Sequence, residues 1–458
     1  MFNCFVVSRR RSPLRLPRTL AIVACVGCLQ SIAAAQPVTA RWARPSGSDW
    51  FVASNWSPEV VPRNGNPTPQ TTYDVVIDAV GPAYAVDQYW PFDFALNSLT
   101  LNSPNATLNH TYNTLTLTAG LQILSGVYRI GSDDNSRAGL AGGPLYIAPG
   151  ARFGPAASNT STDGPSVRLN NMTINGDLSL DARTARLALV GNTTLNGTAN
   201  VTGDRSLLYF LGNASLSGNA DINVRGGTTE SRLHFGDAGY GLANYTLDSS
   251  VRIRASEAEI VFRGNVTNRG SITSDTSGRA LEVRGIFGTF RNEGVMEVLP
   301  GAALTLGVPG TTDESPWFNA GVFRISGGNL TLAGVVAAGG VGAIERSGGQ
   351  LNIAGRVLNQ NHTLVMDSPT TGQWNFNRGT VVGGTIRVAD PAALRFEAVP
   401  NFSGSTDVSA AFDGVTIDGS VLSTNGFNRL RIQNGFRVNG TFDAVGPFTL
   451  YSQNTQTI

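Results

Sequence analysis

The chain has 458 residues with 54 glycines, 41% hydrophobic residues and only 14% charged residues. That apolar content excludes wholesale disorder, and the glycine-rich, charge-poor balance suits a β-rich chain with many turns. All 33 basic residues are arginine, and five of them (Arg9, Arg10, Arg11, Arg15, Arg18) precede residue 19; the remainder carries 33 − 5 = 28 arginines against 32 acids, so no basic stripe for nucleic acid is visible.

Residues 1–35 read as a secretory signal. A basic stretch through Arg18 precedes an apolar run at 20–29 and then Ala33-Ala34-Ala35. The run is too short to span a bilayer as a helix, so cleavage after Ala35 and a secreted or cell-surface destination are expected. Ile22-Val23-Ala24-Cys25 also fits a loose lipobox, with a shorter apolar core than signals usually carry. Cys4, Cys25 and Cys28 all lie in this leader. The exported chain therefore has no disulfide and depends on packing alone. No second long apolar segment follows, and no transmembrane helix is expected in the mature chain.

Residues 36–98 are assigned to an N-terminal cap and first strands. Trp42, Trp50, Trp56 and Trp90 are four of the chain's six tryptophans, and Trp56 lies in N-W-S-P, followed by Val61-Pro62 and Asp74-Val75-Val76-Ile77-Asp78. Trp42, Trp50 and Trp56 have two readings: an aromatic sugar platform, or a cover for the open backbone edge of a first coil. The cover is expected, because a bare edge templates aggregation and terminal repeats are atypical.

Residues 99–408 form the array. Around 166–224 the sequence runs V-R-L, M-T-I, L-S-L, L-A-L, L-L-Y-F, A-S-L and D-I-N-V, each placing apolar side chains at i and i+2. Val167, Leu187 and Leu207 lie 20 apart, and Ile174, Leu195 and Leu216 lie 21 apart. A period of about 20 made of short strands and tight turns predicts an all-β fold, a right-handed parallel β-helix. Roughly 20 rungs at about 4.8 Å would make a rod of about 90–100 Å. Arg168, Arg252, Arg324 and Arg387 take middle positions that point outward. Asn175-Gly176, Asn196-Gly197, Asp418-Gly419 and Asn439-Gly440 mark sharp turns where asparagines can stack. Two polar excursions, 131–143 and 154–165, read as protruding loops; the first carries Asp133 and Asp134.

Residues 409–458 resemble the start of a second copy of the array. Ile174, Leu187, Leu195 and their neighbours return 243 residues later as Ile417, Leu430 and Val438. The pattern stops at Ile458 inside a recognisable triplet, which points to a longer product or a rod that closes on a partner, the first being expected.

The N-W-S…V-P…D-V-V-I segment resembles secreted bacterial β-solenoid proteins of the autotransporter-passenger type, and the array resembles the pectin-lyase-like β-helix type. The first resemblance implies a surface or extracellular adhesive role, although no C-terminal barrel is present. Pectin-degrading hydrolases carry N-T-D, D-D, G-H-G and R-I-K motifs. Here only Asp133-Asp134 resembles one of them. His110, His234 and His362 lack flanking glycines, and His234, between Leu233 and Phe235, is expected to be an outward surface imidazole. Zinc spacing and the calcium repeat G-G-x-G-x-D are absent, so no cofactor is expected. The reading is a non-enzymatic extracellular or cell-surface structural and adhesive β-solenoid. Its expected partners are extracellular polysaccharide or cell-surface components, not nucleic acid. Candidate carbohydrate contacts are Trp42, Trp50, Trp56, Asp133 and Asp134. The alternative is a polysaccharide-acting β-helix enzyme or carbohydrate-binding module with its site near 131–165.

Overall fold

A triplet such as Leu178-Ser179-Leu180 buries two side chains on one side and shows the third on the other. It needs a second layer to cover its apolar side and a neighbour for each backbone edge. A coil supplies both. The computed structural model describes residues 36–453 apart from 47, 90–91, 132–136, 157–166, 227–230, 237–241, 310–314, 368–371, 398–407 and 424–427. It is a parallel β-solenoid of about 14 turns, 63% strand. Two short 3-10 turns, Ala53–Asn55 and Pro391–Ala393, are its helical elements among the described residues. The signal reading at 1–35 lies outside the described residues.

Each turn carries three strands, and strands at equivalent positions pair in parallel, giving three faces. The first face stacks Leu169, Leu189, Phe210, Phe235 and Phe262 in register. The second stacks Leu99, Leu121, Leu145, Ile174 and Leu195. The third stacks Ala199, Ile222, Ile253, Ile272, Met296 and Phe323. These inner columns meet in one continuous core.

The rungs are longer than the sequence period suggests, and so fewer. Leu208 to Leu233 is 25 residues and Leu233 to Ile260 is 27. The added length falls in the connections between faces, where it leaves the strands unchanged. At about 4.8 Å per turn the coil measures roughly 65 Å. Val167 does stack on Leu187, but the next partner is Leu208, while Leu207 stands opposite Arg186. A slip of one residue sends a side chain to the other side of the sheet, and Leu208 is the one fully buried. An irregularity between Val190 and Asn192 likewise puts Leu216 opposite Thr193 instead of Leu195.

The first excursion is shorter than expected. Ala138–Gly142 is a first-face strand pairing with both Asn113–Ile130 and Val167–Asn170. Its small residues hide the strand pattern, since Leu140 alone is a large apolar residue there. In the second excursion, Gly154 and Pro155 belong to the strand Arg152–Pro155. The 243-residue repeat returns one face further round: Ile174 lies on the second face, whereas Ile417 pairs with Ile386 on the third.

At the N-terminal end, Val38–Trp42 pairs in parallel with Tyr73–Ile77, and Trp56–Ser57 takes its other edge in antiparallel register. Trp42 and Trp56 meet edge to face at 5.0 Å, Trp50 and Trp56 at 4.7 Å. The Trp56 Nε1–H donates to the Trp50 carbonyl at 2.7 Å.

Asparagine stacking occurs in two settings. At the surface, Asn196 Nδ2 donates to Asn175 Oδ1 at 2.9 Å. The adjoining Gly176 (φ 125°) must be glycine, because a Cβ there would lie 2.3 Å from the Ile147 carbonyl oxygen. The second setting is buried and uses a spacing the sequence reading passed over, N-x-G: Asn268-Arg269-Gly270, Asn292-Glu293-Gly294 and Asn319-Ala320-Gly321. Asn268 Nδ2 donates to Asn292 Oδ1 at 2.7 Å, and Asn292 Nδ2 donates to Asn319 Oδ1 at 2.6 Å. All three asparagines are at most 1% exposed. Replacing Asn292 by alanine strands buried polar groups on both sides, each worth about 1–3 kcal/mol. Asn292→Ala is therefore expected to lower the melting temperature clearly, while the solvated Asn196→Ala costs under about 1 kcal/mol. Equal shifts in the two melts would refute a role for the buried ladder.

Candidate functional site

Alternation along the first-face strands Arg186–Val201, Leu207–Ser217, Ser231–Phe235 and Ala258–Asn268 sends one column of side chains outward: Ala188, Tyr209, His234 and Val261, leading to Arg284. Outward does not mean exposed here. Ala188, Tyr209 and Val261 are at most 3% exposed, and Ala188, Tyr209 and Leu211 form a small apolar cluster of their own.

A parallel column holds Arg186, Leu207, Arg232 and Glu259. Glu259, 5% exposed, sits between two guanidinium groups: Arg232 Nε is 2.7 Å from its Oε2, and Arg284 pairs with its Oε1. The His234 ring packs 5.2 Å from that of Tyr209, and its Nε2 finds no hydrogen-bond partner among the described residues. Burial, reinforced by the positive charges of Arg232, Arg263, Arg284 and Arg186, pushes the His234 pKa down to about 3. The surface imidazole expected from sequence is instead a neutral, half-buried one. An acid, a phenol, a neutral imidazole and guanidinium groups thus converge, with the carboxylate already committed to two arginines.

His110, by contrast, is fully buried inside the coil. Its Nε2 lies 3.0 Å from the carbonyl oxygens of both Tyr112 and Asn113, so that nitrogen carries the proton; Nδ1, 2.9 Å from the Tyr128 hydroxyl, accepts. Burial lowers its pKa to about 4, outweighing the two backbone hydrogen bonds that raise it.

Of the sequence-derived carbohydrate candidates, Trp42, Trp50 and Trp56 are brought together in one edge-to-face cluster. Trp42, Trp50 and Trp56 are 1–2% exposed, so their faces are closed to a sugar and their placement is that of a cover over the first rung. Trp90, Asp133 and Asp134 lie outside the described residues. The exposed aromatic surface near the cap belongs to Tyr89 and Phe92, which sequence reasoning passed over; Tyr89 donates to Asp49 Oδ2 at 2.6 Å.

A hollow of about 410 Å³ opens on the outer side of the third face. Arg129 stands opposite Gly154 in the register, and Ser179 is the next side chain along, since a Cβ on Gly154 would lie 2.1 Å from the Ser179 carbonyl oxygen. Gly154 is where the two strands press together: the Ser179 backbone fills the place a side chain there would take. Arg152 and Asp181 form an ion pair across one side. Arg152–Pro155 pairs with Asn113–Ile130 and Leu178–Leu180 with Arg186–Val201, and the two short strands lie side by side where Gly154 meets Ser179.

Among the described residues no cluster of His, Cys, Asp and Glu is suited to hold a metal ion, and no helix is long and apolar enough to cross a membrane. No family model matches the chain, and neither the curated proteins nor the solved structures contain one similar to it.

Proposed function

We propose that this chain is a non-enzymatic extracellular or cell-surface β-solenoid with a structural and adhesive role. The supporting observation is the distribution of its charges. Arg252 pairs with Asp221 on the preceding rung, Arg269 with Glu293 on the next, and Arg324 with Glu345 on the next. Such pairs tie neighbouring turns together and hold no group poised over an open groove. The signal-like sequence at 1–35 is what supports export, and the partners proposed are extracellular polysaccharide or cell-surface components.

Convergence around Glu259 is the observation favouring a second reading, a polysaccharide-acting enzyme. The enclosure of Glu259 and its double ion pair argue against that reading. Both are tested by incubating the full chain with a panel of acidic and neutral polysaccharides. Co-sedimentation without release of reducing ends or unsaturated products is the expected result. Turnover that Glu259→Gln abolishes would establish the enzyme instead.

A further inference from the structure

We propose that Asn439-Gly440 is a self-modification site, where the chain's own backbone displaces the Asn439 amide and leaves aspartate or isoaspartate in its place. The Gly440 peptide nitrogen attacks Cγ of Asn439, and the Cγ–Nδ2 bond breaks. Ammonia leaves, carrying the proton that the attacking nitrogen gave up. Water then opens the cyclic imide at either carbonyl, so water is the only other reactant.

Glycine after asparagine suits this chemistry, because no side chain shields the attacking nitrogen. At three other described Asn-Gly pairs the fold holds that nitrogen. Gly176 N–H donates to the Asn196 carbonyl on the next rung at 3.0 Å, Gly197 N–H to the Asn219 carbonyl at 3.3 Å, and Gly65 N–H to the Thr71 carbonyl at 2.8 Å. Such a nitrogen has to break its hydrogen bond before it can attack. Gly440 N–H makes no hydrogen bond among the described residues. A second difference lies in the carbonyl under attack. Arg437 Nε donates to Asn439 Oδ1 at 2.9 Å. Asn175 Oδ1 accepts instead from the neutral amide of Asn196, and Asn196 Oδ1 from the backbone N–H of Asn219. A guanidinium draws electron density from Cγ and steadies the oxyanion that forms when the nitrogen adds. Solvent is the third difference. Asn439 and Gly440 are exposed, whereas Asn175, Gly176 and Gly197 are half-buried, and the reaction needs base and then water. The product sets a carboxylate beside Arg437. Isoaspartate also lengthens the backbone just ahead of Phe442–Ala444, the strand that pairs with Val421–Ser423.

The test is peptide mapping by mass spectrometry of the full chain, held folded at mildly alkaline pH and sampled over weeks, with isoaspartate identified by enzymatic methylation. Asn439 is expected to convert at least about tenfold faster than Asn64, Asn175 and Asn196, the rate equivalent of one hydrogen bond that need not be broken. In guanidinium chloride the four sites should convert at similar rates, which separates protection by the coil from the effect of neighbouring residues. Arg437→Gln should slow Asn439 about fivefold in the folded chain and leave the other sites unchanged. Arg437 is exposed, so the melting temperature of that variant should match the wild type. Equal rates at the four sites in the folded chain, an Asn439 that stays intact while the unfolded chain converts, or an Arg437→Gln variant that converts like wild type would overturn the proposal.

Discussion

Lowering the pH from 7 to 4 is expected to destabilise the coil by on the order of 5 kcal/mol through two histidines alone. His110 and His234 have pKa values of about 4 and about 3 in the folded chain, against the usual 6.5. Above pH 6.5 both rings are neutral whether the chain is folded or not, and stability is unaffected. Below 6.5 the unfolded chain takes up protons that the folded chain refuses. Each ring then costs about 1.4 kcal/mol per pH unit until its folded pKa is reached. The window runs from 6.5 down to about 4 for His110 and about 3 for His234. Paired carboxylates add to the loss only at the acid end: Arg252, chiefly by hydrogen bonding, holds Asp221 below its ordinary value, and Arg291 and Arg269 do the same for Glu293. Melting temperatures at pH 7, 5.5 and 4 for wild type and for His110→Gln combined with His234→Gln check this. The double variant should show a flatter profile between 6.5 and 4. Parallel profiles would show that neither ring is held neutral.

Glu259→Gln should cost about 3 kcal/mol, an effect out of proportion to the loss of one charge. Glutamine keeps the shape but leaves Arg232 and Arg284 facing each other across a poorly solvated site, with Arg186 and Arg263 near. Breaking a buried pair by removing one partner is costly because the other charge stays behind. The lower end of the range applies because the two arginine side chains keep 37% and 35% of their surface in water. Adding Arg232→Met and Arg284→Leu to Glu259→Gln should recover much of the loss, since well-packed apolar groups replace such clusters at little cost. A triple variant that melts lower than Glu259→Gln alone would contradict this account.

The coil itself was legible because a strand with one buried side has a period of two, and Leu178-Ser179-Leu180 or Leu351-Asn352-Ile353 carry it openly. The register was legible to within one residue. Val167 on Leu187 followed from spacing; Leu208 replacing Leu207 did not, because both are leucine and neither pattern nor size distinguishes them. Ala138–Gly142 was missed because a strand of small residues looks like a loop. The buried amides at Asn268, Asn292 and Asn319 were marked by N-x-G at each turn, a signal hidden by attention to Asn-Gly pairs. The cluster around Glu259 was half legible. Alternation places His234 and Glu259 outward, but whether an outward residue meets water depends on what the rest of the fold lays over it, and local pattern does not encode that. The hollow beside Arg129 was not legible, because local pattern does not reveal that Gly154 and Ser179 neighbour it on successive rungs.

The rungs differ in length while sharing the same three inner columns: 20 residues separate Val167 from Leu187, and 27 separate Leu233 from Ile260. The frame thus tolerates grafts at its corners. Each doubling of a corner segment costs only about 0.6 kcal/mol in closure entropy, so new surface chemistry can be acquired there while the interior stays as it is.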